Sequence, residues 1–441
     1  MDPASTVAAA APERTWRRQM AARSPVARAL GRFARSPILR YLGPGFIVTV
    51  GFIDPGNWAT NIAGGSEFGY TLLWVITLST AMLILLQSMS ARLGVVTGHS
   101  LAANIRSRAP RWVSHSLGAT VIVACAATDV AEYLGAALGF HLLFGLPLWL
   151  GAIVTVAIVV TAILGQRYHS LERMILVFLA VIAGCYLIEL WIVKPNWGTL
   201  APCVVTPRID SRSILVAMGM LGAVVMPHNV FLHSNVIQSR EWGDDDASKR
   251  RLIRFELVDT IVAMGMGWVV NSSMIIVAAA VFFQHGTVVR SIEEASRTLQ
   301  PLAGPLAQVL FGVALLFAGV GSSITSSLAE ANVVCGFLGK PEDTHSRFYR
   351  LGLVVTSVPA MVVIAAGFDS YKTLILSQVA LSLQLPFTII PLLILARSRK
   401  VMGSFRSGPG EFLLAVIVAG AVMVLNALLL YQTFGGTFDF G

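Results

Sequence analysis

Asp54-Pro55-Gly56-Asn57 lies in the middle of the first long apolar segment, residues 43–66. A helix of that length spans a bilayer. Proline cannot donate a helical hydrogen bond and glycine loosens the backbone, so the helix is expected to break here. Broken backbone at membrane depth is tolerated only where protein buries it or where it lines a cavity. An acid at that depth is costly and reads by default as an ion or substrate site. The break therefore gathers three oxygen sources: Asp54, Asn57 and the freed carbonyls.

The surrounding chain supports a membrane reading. It has 441 residues, 55% hydrophobic and 12% charged, with a mean hydropathy of +0.73. Those values exclude an ordinary soluble domain and indicate an all-α polytopic membrane protein. Eleven apolar segments are expected, at about 43–66, 70–91, 113–140, 146–164, 173–193, 213–239, 255–284, 305–338, 351–367, 371–396 and 411–433. Residues 1–40 carry eight arginines and two acids. They are expected to form a disordered cytoplasmic tail that can touch anionic lipid. Residues 434–441 are expected to be a short outer tail. Cys125, Cys185, Cys203 and Cys335 lie far apart, which implies neither a zinc site nor a disulfide framework.

The basic residues orient the bundle. With the N-terminus inside, only Lys194, Arg208, Arg212, Arg290, Arg297 and Lys372 of the 32 Lys and Arg fall outside. That asymmetry favours eleven crossings, with a cytoplasmic N-terminus and an extracytoplasmic C-terminus in the plasma membrane. The net charge of +9 is thereby explained without nucleic acid. Segment six carries a second break, Met226-Pro227-His228-Asn229, again in mid-span. Two sets of five helices, about 43–193 and 213–396, then start on opposite sides, each with a broken first helix. This is the LeuT-type 5+5 inverted repeat, with 411–433 as an extra helix.

The second break adds different chemistry. Met226 offers a thioether, and Pro227 frees the carbonyl of Ala223 four residues earlier. Hard oxygens alone suit Mg²⁺ or Ca²⁺; a sulfur shifts preference toward softer first-row divalent ions. Taken singly, a methionine on an apolar helix is more often packing, and a membrane proline more often a kink. Asp129 and Glu132 sit three apart on segment three, so they share a helix face. Two acids on one intramembrane face suit a proton relay or a structural network. His228 could relay protons or satisfy the broken helix, and His233 has the same ambiguity.

Here the residues resemble a known family. Asp54-Pro55-Gly56-Asn57, followed by Ala59-Thr60-Asn61-Ile62, is similar to the first-helix motif of the Nramp divalent-metal transporters. Met226-Pro227-His228-Asn229, followed by Leu232-His233-Ser234, is similar to their sixth-helix motif. The likeness extends to Ala127–Glu132 in segment three and Leu376–Val379 in segment ten, and covers the chain from about residue 40. Among prokaryotic members the chain most resembles the proton-coupled manganese transporters. The resemblance implies a metal-binding set of Asp54, Asn57, Met226, the Ala223 carbonyl and Gln378. It implies a proton route through His228, Asp129 and Glu132, accompanied by Arg350. The chain departs from the family late in segment eight, where a Gly- and Thr-rich signature reads Gly321-Ser322-Ser323-Ile324-Thr325-Ser326-Ser327-Leu328-Ala329-Glu330-Ala331-Asn332. Glu330 is an extra acid at the inner end of that helix.

The expected function is import of Mn²⁺ or Fe²⁺ with protons by alternating access, with the metal as cargo and no cofactor. The expected partners are divalent ions, protons and membrane lipid. No nucleotide-binding Gly-rich loop is present, so ion gradients and not ATP would drive it. No Gly-x-Ser-x-Gly elbow or HExxH motif points to an enzyme. Two other readings are a divalent transporter of broader specificity and a LeuT-type sodium/amino-acid symporter. Asp54 argues against the symporter, because it would repel a substrate carboxylate.

Overall fold

Apolar runs without water to satisfy their amides close their hydrogen bonds internally, so each expected segment becomes helical. The computed structural model describes residues 49, 51, 53–165, 168–240, 243–298, 305–342 and 346–437. All lie within the unit Gly43–Gly441. The Arg-rich stretch 1–40 lies outside the described residues, as do 438–441 of the expected outer tail.

Thr49 and Gly51 are helical, Ile53 and Asp54 are not, and α1 resumes at Pro55–Phe68. There follow α2 (Leu73–Thr97), α3 (Arg111–Phe144), α4 (Leu148–Gly165) and α5 (Tyr168–Val193). The sixth segment is α6a (Ile214–Val224) and α6b (Pro227–Val236). Then come α7 (Asp246–Val281), α8 (Pro305–Leu338), α9a (Arg347–Val355), α9b (Ser357–Ala365), α10 (Ser370–Arg397) and α11 (Pro409–Thr433). Nine of these spans, counting α6 and α9 across their interruptions, are long and apolar enough to cross a membrane among the described residues. In α5 the described apolar stretch is Val177–Val193, and the first segment is described mainly through its second half.

Three features differ from the sequence expectation. α7 begins at Asp246, because Asp245 accepts from the Ser248 amide and caps a polar first turn ahead of the apolar run. The ninth segment is interrupted at Thr356; Pro359 has no N–H for the carbonyl of Val355 four residues earlier. Short helices Leu101–Arg108, Trp197–Cys203 and Ile292–Thr298 lie in connections read only as loops.

Burial separates centre from rim. The apolar window of α6 is 94% buried, against 28% for α4 and 33% for α11. Exposed Ile158, Ile394, Leu414 and Ile417 give the rim the apolar surface that lipid requires. α8 packs along α3, α10 against α6a and α3, and α7 against α1 and α2. Two prolines leave carbonyls that another helix satisfies. Pro386 in α10 frees the carbonyl of Ser382, which accepts from Asn426 Nδ2 of α11 at 3.0 Å. Pro227 frees the carbonyl of Ala223, which accepts from Asn57 Nδ2 of α1 at 2.9 Å. Outside the membrane, Glu342 accepts from Ser100 Oγ at 2.9 Å and from Asn235 Nδ2, tying the α8–α9a connection to the end of α6b. Burial raises the Glu342 carboxyl above the usual range.

Candidate functional site

The two breaks meet. Asp54 is the N-cap of α1 with extended backbone angles, φ −72° and ψ 163°. Its side chain turns back on the helix start: Oδ2 accepts from the Gly56 amide and Oδ1 from the Asn57 amide, both at 3.0 Å. Pro55 fits at the first helical position because its missing N–H would be unpaired there anyway. The break thus lies before the proline, and Gly56 and Asn57 are already helical. Gln378 Nε2 of α10 donates to Asp54 Oδ2 at 3.2 Å. Asn57 links this group to the Ala223 carbonyl at the end of α6a. Met226 caps the start of α6b, and its sulfur accepts from Asn229 Nδ2 at 3.5 Å. Asp54, Asn57, Ala223, Met226 and Gln378 are all fully buried.

Close backbone approach makes this geometry possible. A Cβ on Gly222 would lie 2.1 Å from the Gln378 carbonyl oxygen and 2.7 Å from the Ser382 amide nitrogen. A Cβ on Gly135 of α3 would lie 1.9 Å from the Pro55 Cβ. Gly222→Val should therefore push α10 away from α6a and cost ~1–3 kcal/mol or more. The thermal midpoint in detergent should fall, and uptake with it. An unchanged midpoint would show that the two backbones do not meet at Gly222.

The acids of α3 form a second buried group. Asp129 Oδ2 accepts from Ser357 Oγ of α9b at 3.5 Å, and Glu132 Oε2 from Ser326 Oγ of α8. The Tyr133 hydroxyl meets Ser357 Oγ at 2.9 Å and Ser327 Oγ at 3.4 Å. His228 Nδ1 lies 3.4 Å from Thr128 Oγ1, beside Asp129 in sequence, and so joins α6b to α3. His233 is placed elsewhere, with Nδ1 2.8 Å from Gln87 Oε1 and Nε2 3.5 Å from Glu256 Oε2. Arg350 is exposed near the start of α9a, and Ser357 of α9b donates to Asp129. The sequence reading gave the hydroxyls of Ser326, Thr356 and Ser357 no role, because nothing in a local run of serines and threonines says which hydroxyl meets an acid on another helix. Cys125, Cys185 and Cys335 are buried, and all four cysteines are free thiols.

Two broken helices crossing at the centre of a helical membrane bundle define a multi-pass membrane transporter of the LeuT-type fold. The fold is shared with the nucleobase-cation-symport-1 family transporter Mhp1, at a TM-score of 0.59 and 17% identity over 89% of this chain and 91% of that one. The chain belongs to the Nramp family: the family model, natural resistance-associated macrophage protein-like, matches residues 45–432. It is 43% identical to the divalent metal cation transporter MntH of Caldanaerobacter subterraneus subsp. tengcongensis, over 90% of this chain and 94% of that protein. A crystal structure of the Eremococcus coleocola manganese transporter superposes with a TM-score of 0.78 at 29% identity, over 90% of this chain and 88% of that one.

Proposed function

We propose that this protein imports divalent transition-metal ions, Mn²⁺ first and Fe²⁺ also, together with protons by alternating access. The metal is cargo, taken by Asp54, Asn57, the Ala223 carbonyl, Met226 and Gln378. The observation that carries this reading is the junction of the two helix breaks. There a buried carboxylate, two carboxamides and a proline-freed carbonyl are hydrogen-bonded neighbours. The Asn57 and Gln378 amides donate to the Ala223 carbonyl and to Asp54 Oδ2, oxygens that are good ligands for a hard or borderline cation. Rotating Asn57 and Gln378 would present their own oxygens instead. The two repeats, about 43–193 and 213–396, would rock around this point. Basic loops on one side favour an inward N-terminus.

The same geometry disfavours an amino-acid symporter. In that class the half-helix N-terminus receives the substrate carboxylate. Here the Gly56 and Asn57 amides are taken by Asp54 itself.

Purified protein in liposomes carrying an internal pH dye tests the proposal. Mn²⁺ uptake should rise with an inward proton gradient and acidify the interior, with Ca²⁺ and Mg²⁺ competing poorly. No uptake would overturn metal transport; uptake without acidification would overturn proton coupling. The α3 acids are assigned to the proton and not to the metal. Asp129→Asn and Glu132→Gln should each lose most metal-driven proton uptake. Their Mn²⁺ dissociation constants should stay within about threefold, a difference of ~0.7 kcal/mol. Calorimetry showing Mn²⁺ binding abolished in either variant would reverse that assignment.

A further inference from the structure

Glu330 has no place in the metal site. It lies on α8 with 1% of its surface exposed. Its Oε2 accepts from Thr356 Oγ1 at 2.6 Å, at the interruption between α9a and α9b. Its carboxyl lies beside that of Asp129 on α3, because Thr356, which donates to Glu330, and Ser357, which donates to Asp129, are consecutive residues. Ionised carboxylates only accept hydrogen bonds. Two of them buried side by side therefore hold at least one proton between them.

The surroundings reinforce this. Among the described residues, the ionisable groups near Glu330 include Asp129, Glu132, Tyr133 and Cys125, all acids on α3. From α9 it meets the hydroxyl of Thr356, and Ser357 beside it serves Asp129. One oxygen each of Asp129, Glu132 and Glu330 is buried with no hydrogen-bond donor among the described residues. Such oxygens cost several kcal/mol when ionised and unpaired, and a proton relieves that cost. A metal ion is a poorer fit, because no grouping of three or more His, Cys, Asp or Glu among the described residues has the geometry to hold one.

We propose that Glu330 is a proton-carrying residue, paired with Asp129, that extends the proton route from α3 onto α8. The step moves one proton. Asp129 passes it to Glu330 and becomes the carboxylate, and Glu330 becomes the neutral acid. The proton then leaves to water at the Leu338 end of α8, eight residues or about 12 Å further along. Thr356 and Ser357 hold the two carboxyls in place from the interruption in α9, so that break positions the pair. The inference rests on the proton coupling proposed above and adds a residue to it.

The test uses full-length protein in liposomes, with Mn²⁺ uptake and internal pH followed together across a series of external pH values. Wild type is the control for coupling itself: if it does not acidify the interior, the coupling reading fails before Glu330 is questioned. Given coupling, Glu330→Gln should lower metal-driven proton uptake by ~10²-fold, the lower end for a positioned proton-transfer group. Mn²⁺ binding by calorimetry should be unchanged. Glu330→Asp should restore part of the flux with a displaced pH midpoint. Thr356→Val, which keeps the shape and removes the donor, should displace the midpoint as well, and it serves if Glu330→Gln does not fold. Proton uptake and a pH midpoint equal to wild type in Glu330→Gln, or in Thr356→Val if that variant alone folds, would overturn the proposal. Equal loss of Mn²⁺ binding and proton uptake would overturn it too, by making Glu330 a structural residue.

Discussion

Asp54→Asn should abolish divalent uptake. The substitution keeps the side-chain shape and removes the charge. A carboxamide oxygen can still accept from the Gly56 or Asn57 amide, so the cap at the start of α1 survives in part. What disappears is the anion that attracts a divalent cation into a fully buried site. Loss of an outer-shell partner alone costs metal sites ~10–100-fold in affinity or activity, so loss of the charged ligand should exceed ~100-fold. Uptake of Mn²⁺ into liposomes, alongside the thermal midpoint in detergent, separates the metal effect from misfolding. Near-normal uptake would remove Asp54 from the ligand set. A large fall in the thermal midpoint would assign it to capping α1.

Met226→Ala should change the rank order of ions and not only the rate. Thioether sulfur is a poor ligand for Ca²⁺ and Mg²⁺, acceptable for Mn²⁺ and Fe²⁺, and good for Cd²⁺. Met226 begins α6b, three residues beyond the Ala223 carbonyl that Asn57 engages. With the sulfur gone, water can take its place and the hard ions lose their disadvantage. Mn²⁺ uptake should persist within about tenfold, or ~1.4 kcal/mol. Cd²⁺ uptake should fall further, and Ca²⁺ or Mg²⁺ should compete or pass. Met226 is also fully buried, and a buried methionine cut to alanine costs ~2–5 kcal/mol of stability. That cost alone would lower every ion in proportion. Uptake of Mn²⁺, Cd²⁺, Ca²⁺ and Mg²⁺ on one preparation distinguishes the two. An unchanged order would return Met226 to packing and leave selectivity to the oxygens around Asp54.

The sequence by itself determined the features written in contiguous residues. Apolar runs of membrane length, Pro55 and Pro227 in mid-span, and Asp54 at the first break are local signals, because a helix forms or fails over a few turns. They were enough for the bundle, the two broken helices and the repeat. Local signals were weaker where helices continue into polar residues, so the apolar start at 255 missed a helix that begins at Asp246. Only the tertiary structure decided which groups meet. Asn57 reaches a carbonyl 166 residues away, and Gln378 reaches Asp54 across 324. Glu330 read in sequence as an acid out of place, and packing set it beside Asp129 through the consecutive donors Thr356 and Ser357. Arg350, matched by family position, is exposed, while an unremarked serine holds Asp129. Which side chains of two packed helices touch depends on their rotation and on the small residues that let them approach, such as Gly135 and Gly222. Neither is encoded in any single stretch of chain.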